Sequence, residues 1–201
     1  MQEAASSNLV QSIHDDLISV YNGLKYKLIF NRLQNNLMIL IDTSVYISAL
    51  TDAELEKALK EASKKSIIMS SVVVEKEISH AADFLRKTDR KENAERLKEL
   101  HNLCAGGKIG VTPFVLKLSE EYSDAVKEKF GKGKSEDMEE DFRIVSAASA
   151  AALLAVATFN RKTMGNEEVI EIYKRINENR KLKTPKFIRN KDELISFLSS
   201  H

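Results

Sequence analysis

The stretch MILIDTS, residues 38–44, decides the fold. Met38, Ile39, Leu40 and Ile41 make a short, uninterrupted apolar run that stops at an acid, Asp42. A strand with one wet face alternates apolar and polar residues, whereas a strand covered on both faces does not. The run therefore predicts a buried parallel strand. Similar short runs follow at Ile67-Ile68-Met69, Ile109-Gly110-Val111, Ala155 to Phe159 and Lys186-Phe187-Ile188. Helical periodicity fills the gaps: near 52–64, from Val72 in one or two pieces to about Leu103, from Pro113 to about Phe130, up to about Leu153, near 167–180, and to about Leu198. Thr51 with Glu54 reads as a capping box, Ser135 and Asn190 as N-caps, and Pro113 suits a first helical turn. Gly106-Gly107 reads as a turn, and GKGKS (131–135) as a loop. Short strands alternating with helices predict an α/β fold, a three-layer α/β/α sandwich around a mostly parallel sheet of four or five strands.

Residues 1–37 read differently. Leu9, Ile13, Leu17, Val20, Leu24, Leu28 and Leu33 recur at three- to five-residue steps, an amphipathic helical pattern interrupted near Gly23. The expected organisation is an N-terminal helical extension over 1–37 and a main domain over 38–201. The apolar face of residues 9–33 suits packing within the monomer or a homodimer interface equally well.

Composition narrows the function. Of 201 residues, 31 are Lys or Arg and 30 Asp or Glu, a net charge of +1, so any nucleic-acid footprint must be a local patch. A single cysteine, Cys104, excludes a disulfide within the chain and makes a cysteine zinc site a poor expectation. A reducing, cytoplasmic setting fits. The N-terminus lacks a basic start followed by an apolar core, so no signal peptide is expected, and the run from Ala147 to Phe159 is too short to span a bilayer. Trp is absent and only Pro113 and Pro185 occur, which suits a helix-rich fold. His14, His80, His101 and His201 are too scattered for a zinc motif, and Cys104 reads as a packing residue.

In a parallel α/β sheet, ligands bind beyond the carboxyl ends of the strands. Asp42 stands there, although helix capping alone explains such an aspartate about as well. Glu77 follows the second strand in SVVVEKEI (71–78). Helical geometry groups it with Val73 and His80 and turns Glu75 about 200° away, so Glu77 is expected nearer the buried side. Among the acids of SEDMEED (135–141), Glu136 and Asp137 simply complement a helix dipole. Asp141 abuts the apolar run beginning at Phe142, where a charge is costly unless it is balanced. Thr158 and Asn160 close the fourth strand, and Arg161 and Lys162 follow.

LIDTSVYISAL (40–50), SVVVEKEI (71–78), EEDFRIVSAAS (139–149) and ATFNRKTM (157–164) together resemble the PIN-domain family in order and context. The resemblance covers about residues 38–200. It implies that Asp42, Glu77 and Asp141 hold Mg²⁺ or Mn²⁺ and carry catalysis. It gives accessory places to Ser44, to Thr158 and to Asn160, whose position is aspartate in many members and asparagine in others. Three carboxylates are hard oxygen donors suited to these ions. The implied function is metal-dependent endoribonuclease activity, with Lys132, Lys134, Arg161 and Lys162 as candidate phosphate contacts. Within the family, a VapC-like toxin held by an antitoxin protein, or an RNA-processing or quality-control nuclease, both fit. The alternative of another class is a catalytically silent module that binds RNA or protein. A phosphatase using Asp42 as nucleophile would want an aspartate at position 44, where Ser44 stands.

Overall fold

Ile39, Leu40 and Ile41 are wholly excluded from solvent and form strand β1 (Ile39–Ile41), the central strand of the sheet. The computed structural model describes residues 38–200 except Ser66. The extension expected over residues 1–37 lies outside the described residues. β2 (Ile68–Ser71), β3 (Gly107–Ile109), β4 (Ala155–Ala157) and β5 (Lys186–Ile188) complete one five-stranded, all-parallel sheet in the order β3-β2-β1-β4-β5.

The helices are α1 (Thr43–Ala49), α2 (Ala53–Ser63), α3 (Val72–Lys87), α4 (Lys91–Cys104), α5 (Pro113–Phe130), α6 (Lys132–Glu136), α7 (Glu139–Ala150), α8 (Glu167–Asn179) and α9 (Lys191–Ser199). They fall into two packed groups. One links α2 to α1, α4 and α9, with α3 packed on α4; the other links α5 to α6, α7 and α8, and α3 also meets α7 across the two. This agrees with the expected α/β class and is consistent with helical layers on both sides of the sheet. None of these helices is long and apolar enough to cross a membrane.

Several boundaries differ from the expectation, each for a local reason. Asp52, not Thr51, caps α2 by accepting from the Leu55 amide; Thr51 Oγ1 instead donates back to the Ser48 carbonyl. β3 begins two residues earlier than expected, because its register with β2 pairs Met69 with Gly107 and Ser71 with Ile109. The GKGKS segment is the short helix α6 rather than a loop. Ser135 caps nothing: its hydroxyl is engaged by Ser123, side chain and carbonyl, at 2.8 and 3.0 Å. α7 stops at Ala150, and β4 ends at Ala157 rather than at Phe159.

The strand order places the site. The chain builds β1, β2 and β3 outward in one direction, then crosses to lay β4 on the other side of β1. That reversal is a topological switch point, and the crevice beyond its carboxyl ends is where open α/β sheets bind ligands. The residues there are Asp42, after β1, and Thr158, after β4.

Candidate functional site

Asp42 is buried, with 6% of its surface exposed. It caps α1, as simple helix geometry requires, but it also receives bonds that a cap alone does not need. Ser44 Oγ donates to Asp42 Oδ2 at 2.5 Å, Thr158 Oγ1 donates to the same oxygen at 2.9 Å, and the Ser44 amide approaches it at 3.4 Å. Among the described residues, Oδ1 receives none of these bonds. The network extends through Ser44 Oγ, which accepts the Phe159 amide at 3.0 Å, and through Thr158 Oγ1, which accepts the Asn160 amide at 3.1 Å. Ser44 and Thr158 thus orient one carboxylate and knit β1 to β4 at the switch point.

Glu77 is half-buried on α3, and Glu75 is exposed, as helical geometry predicts; His80, on the Glu77 side, is nonetheless exposed. Thr43 Oγ1 donates to Glu77 Oε2 at 2.6 Å, tying α3 to the first turn of α1. Burial pushes the Glu77 carboxyl up to about 8, and the charges of Asp42, Glu140 and Asp141 push the same way against the Thr43 hydrogen bond. Asp141 is pushed up to about 6, first by burial and then by Asp42. It lies in the first turn of α7, where the helix dipole favours a negative charge by about 0.3–1 kcal/mol. Its rise from 3.8 to about 6 corresponds to about 3 kcal/mol, so desolvation wins. The Met164 amide donates to Asp141 Oδ2 at 3.1 Å.

The Asp42 charge therefore reaches both Glu77 and Asp141, and the structure brings these three sequence-selected acids to one edge. Among the described residues, no three His, Cys, Asp or Glu side chains are grouped closely enough to hold a metal ion as they stand. The chemistry of the donors nevertheless fits a hard divalent cation. The three are carboxylates, two of them resist ionisation where they sit, and among the described residues the bonds from Thr43, Met164, Ser44 and Thr158 all fall on one oxygen of each.

The loop after β4 completes the edge. Asn160 is exposed and turns the chain by accepting the Lys162 amide on Oδ1 at 3.3 Å. Gly165 closes this loop on the Asn160 carbonyl at 2.9 Å, where a Cβ would stand only 2.9 Å from that same oxygen. The four candidate cations separate. Lys134 Nζ donates to the Lys162 carbonyl at 2.5 Å, and its charge acts on Asp141. Lys162 is exposed beside it. Arg161 is tied to the Arg189 carbonyl at 3.2 Å, and Lys132 to Glu136 at 3.2 Å, so neither shows a link to the acids.

Two site residues escape a motif-level reading. Thr43 is the middle residue of the DTS triplet, and its first-turn position on α1 is what lets it reach α3. Glu140 lies beside Asp141, bridges to Lys76 of α3 at 3.4 Å, and adds to the charge on Glu77. An acid in a first helical turn looks ordinary in sequence, and only the approach of α3 to α7 gives Glu140 a role. No protein-family model matches this chain, and no curated protein matches it.

Proposed function

We propose that this protein is a metal-dependent ribonuclease of the PIN type, with a three-layer α/β/α domain, that hydrolyses RNA phosphodiester bonds at Asp42, Glu77 and Asp141. The observation that carries the reading is the gathering of these three acids at the β1/β4 switch point, where burial first and the Asp42 charge after it raise the Glu77 and Asp141 carboxyls. Buried carboxylates that raise one another's proton affinity are costly in a structural role and ordinary in a site that takes a cation.

The side chains divide the work. Ser44 and Thr158 hold Asp42 through Oδ2 and leave Oδ1 to serve as a ligand. Thr43 holds Glu77 through Oε2. The Met164 amide holds Asp141 through Oδ2. Mg²⁺ or Mn²⁺ bound by these three acids would supply Lewis acidity, generating a nucleophilic hydroxide from water and neutralising charge on phosphate. Hydrolysis there would join the water oxygen to phosphorus as the P–O3′ bond in line with it breaks, the proton lost by the water being matched by the one the departing O3′ takes from solvent, leaving a 5′-phosphate and a 3′-hydroxyl. Asn160 can orient water or phosphate and cannot accept the proton. Lys134, already beside Asp141, is the best placed of the four cations to meet a phosphate oxygen. RNA rather than DNA, an antitoxin partner, a homodimer and a cytoplasmic setting rest on the family resemblance and the composition.

The test is cleavage of labelled single-stranded RNA by the full chain with Mn²⁺, with chelator, and with the Asp42→Asn variant. We expect Mn²⁺-dependent products that disappear in the other two. Cleavage that survives Asp42→Asn would sink the assignment. Mn²⁺-independent RNA binding without cleavage would favour the silent-module reading, to which Asn160 in place of an acid lends its support.

A further inference from the structure

A cleft of about 570 Å³ opens between the 160–166 loop and the start of α9, on the same sheet edge as the acids. Thr158 Oγ1 bonds both Asp42 and the Asn160 amide, and Arg161 is the next residue. The Thr158 amide bonds the Ile188 carbonyl at 2.9 Å, and Arg189 follows directly. β5 is two strands from β1, which sets Arg189 about 10 Å along the edge from Asp42 at ordinary strand spacing. Three acids line the cleft, and each has a basic partner: Glu167 with Arg189 at 3.1 Å, Glu168 with Lys129 at 2.7 Å and Glu193 with Lys186 at 2.9 Å. Such exposed pairs add little stability, but they offset the negative charge of the walls. Among the described residues, Arg161 pairs with no acid. Its Nε donates to the Arg189 carbonyl at 3.2 Å, and its two Nη groups carry no bond. Asn166 and Asn190 cap α8 and α9 through Oδ1, which leaves the Nδ2 group of each as a donor without a partner among the described residues. With the amide oxygens taken up by caps and the acids by bases, the cleft is left with one cation and a surplus of donors.

We propose that this cleft is a phosphate subsite for single-stranded RNA: the Nη edge of Arg161 grips the two non-bridging oxygens of a phosphodiester neighbouring the one that is cut, with the Asn166 and Asn190 amides as further donors in the same cleft. The inference rests on the ribonuclease reading above for its substrate and on the unpaired donors for its chemistry. It is the unpaired guanidinium, not the helix starts, that commits the cleft to an anion. The bond from Nε fixes the plane of the guanidinium, and a planar fork matches two phosphate oxygens. Phosphate contacts set register rather than sequence. Lys134, beside Asp141, meets the phosphate being cut, and Arg161 holds one farther along the strand, so the scissile bond is oriented by two fixed points.

Fluorescence anisotropy of a labelled single-stranded RNA with the full chain in chelator tests the subsite apart from cleavage. We expect Arg161→Ala to weaken binding about tenfold and to flatten the slope of log affinity against log salt by about 0.7. Asn190→Asp keeps a capping oxygen but turns the donor into an anion, and it should weaken binding by a similar factor. Arg175→Ala, which removes an exposed arginine of α8 outside the cleft, should leave affinity unchanged. Unchanged affinity in Arg161→Ala, or an equal loss in Arg175→Ala, overturns the proposal. So does displacement of the RNA by an equal concentration of inorganic phosphate, which would mark a site for the free anion, and so does a wild type that binds no RNA. Cleavage of the same RNA with Mn²⁺ is read separately. A wild type that binds RNA through Arg161 and never cuts it removes the ribonuclease reading and leaves the subsite standing. A wild type that cuts RNA while Arg161→Ala binds and cuts equally well removes the subsite and leaves the ribonuclease reading standing.

Discussion

The two ends of α7 handle buried polarity in opposite ways. At its C-terminal end, Ser149 Oγ receives Asn177 Nδ2 at 3.1 Å and Tyr122 Oη at 3.4 Å; Tyr122 also donates to Asn177 Oδ1 at 2.6 Å, and Asn177 donates to Thr184 at 3.0 Å. All of these groups are neutral, and each finds a partner. At the N-terminal end Asp141 is an acid among acids, pushed up by burial and by Asp42. A closed neutral network rigidifies a core. An open charged one carries a persistent energetic cost, and such a cost is tolerated where a ligand relieves it.

Removing one acid tests the open end most severely. Asp42→Asn should lower Mn²⁺-dependent RNA cleavage on the order of 10³-fold, read as initial rate, while leaving the circular dichroism of the fold intact. Retained activity would break the comparison, because the charged end would then be merely strained.

Added cation and pH come next. Glu77 and Asp141 have folded-state values raised above 4.5 and 3.8, to about 8 and about 6. Their contribution to metal-free stability is therefore present at low pH and is lost as pH rises through about 6 and then about 8. A bound cation reverses this, since it requires the ionised forms. At a hundredfold excess over its dissociation constant, Mn²⁺ should stabilise the protein by about 2.7 kcal/mol, and the rise in Tm should be larger at pH 8.5 than at pH 6. A Tm shift that shrinks with pH would contradict the arrangement.

At the closed end, Asn177→Leu removes the amide's bonds to Tyr122, Ser149 and Thr184, leaving only the 3.4 Å contact between Tyr122 and Ser149, and should cost about 1–3 kcal/mol, a fall of several degrees in Tm. Mn²⁺ affinity should be unchanged, because nothing in that network touches the acids. Weakened metal binding would show that the two ends of α7 are coupled.

The smallest effect belongs to His101. It is buried, bonded through Nε2 to Ser70 Oγ at 2.8 Å, and burial holds it below its ordinary value of 6.5. Its stability contribution is full above 6.5 and declines as pH falls below it, opposite in sign to the acids. Urea titration at pH 7 and at pH 5 should show the wild type losing stability relative to His101→Gln as pH falls, against the opposite trend that the acids give to both.

Much of the fold was legible because parallel strands are covered on both faces and so read as unbroken apolar runs. Lys186 to Ile188 matches its observed strand at both ends, and the run from Met38 to Ile41 exceeds β1 by one residue at its start. Pro113 and Asn190 were legible for a similar reason, since fixed φ and side-chain capping act within a few residues. The misreadings at Thr51, Ser135 and GKGKS share a cause. Each residue type suits several local roles, and the choice fell to a neighbour: Asp52 in the first case and Ser123 on α5 in the second.

Local sequence alone determined that β1 stops at Asp42 and that Asp42, Glu77 and Asp141 are acids set against apolar neighbours. It could not determine that they share an edge. That depends on β4 returning to the side of β1 opposite β2, a long-range pairing that creates the crevice where Thr158 meets Asp42. Nor could it single out Thr43 or Glu140, whose roles arise only where α1, α3 and α7 approach one another. Hydrophobic pattern is written residue by residue, whereas electrostatic repulsion depends on distances between parts of the chain far apart in sequence, and only the packed structure sets those.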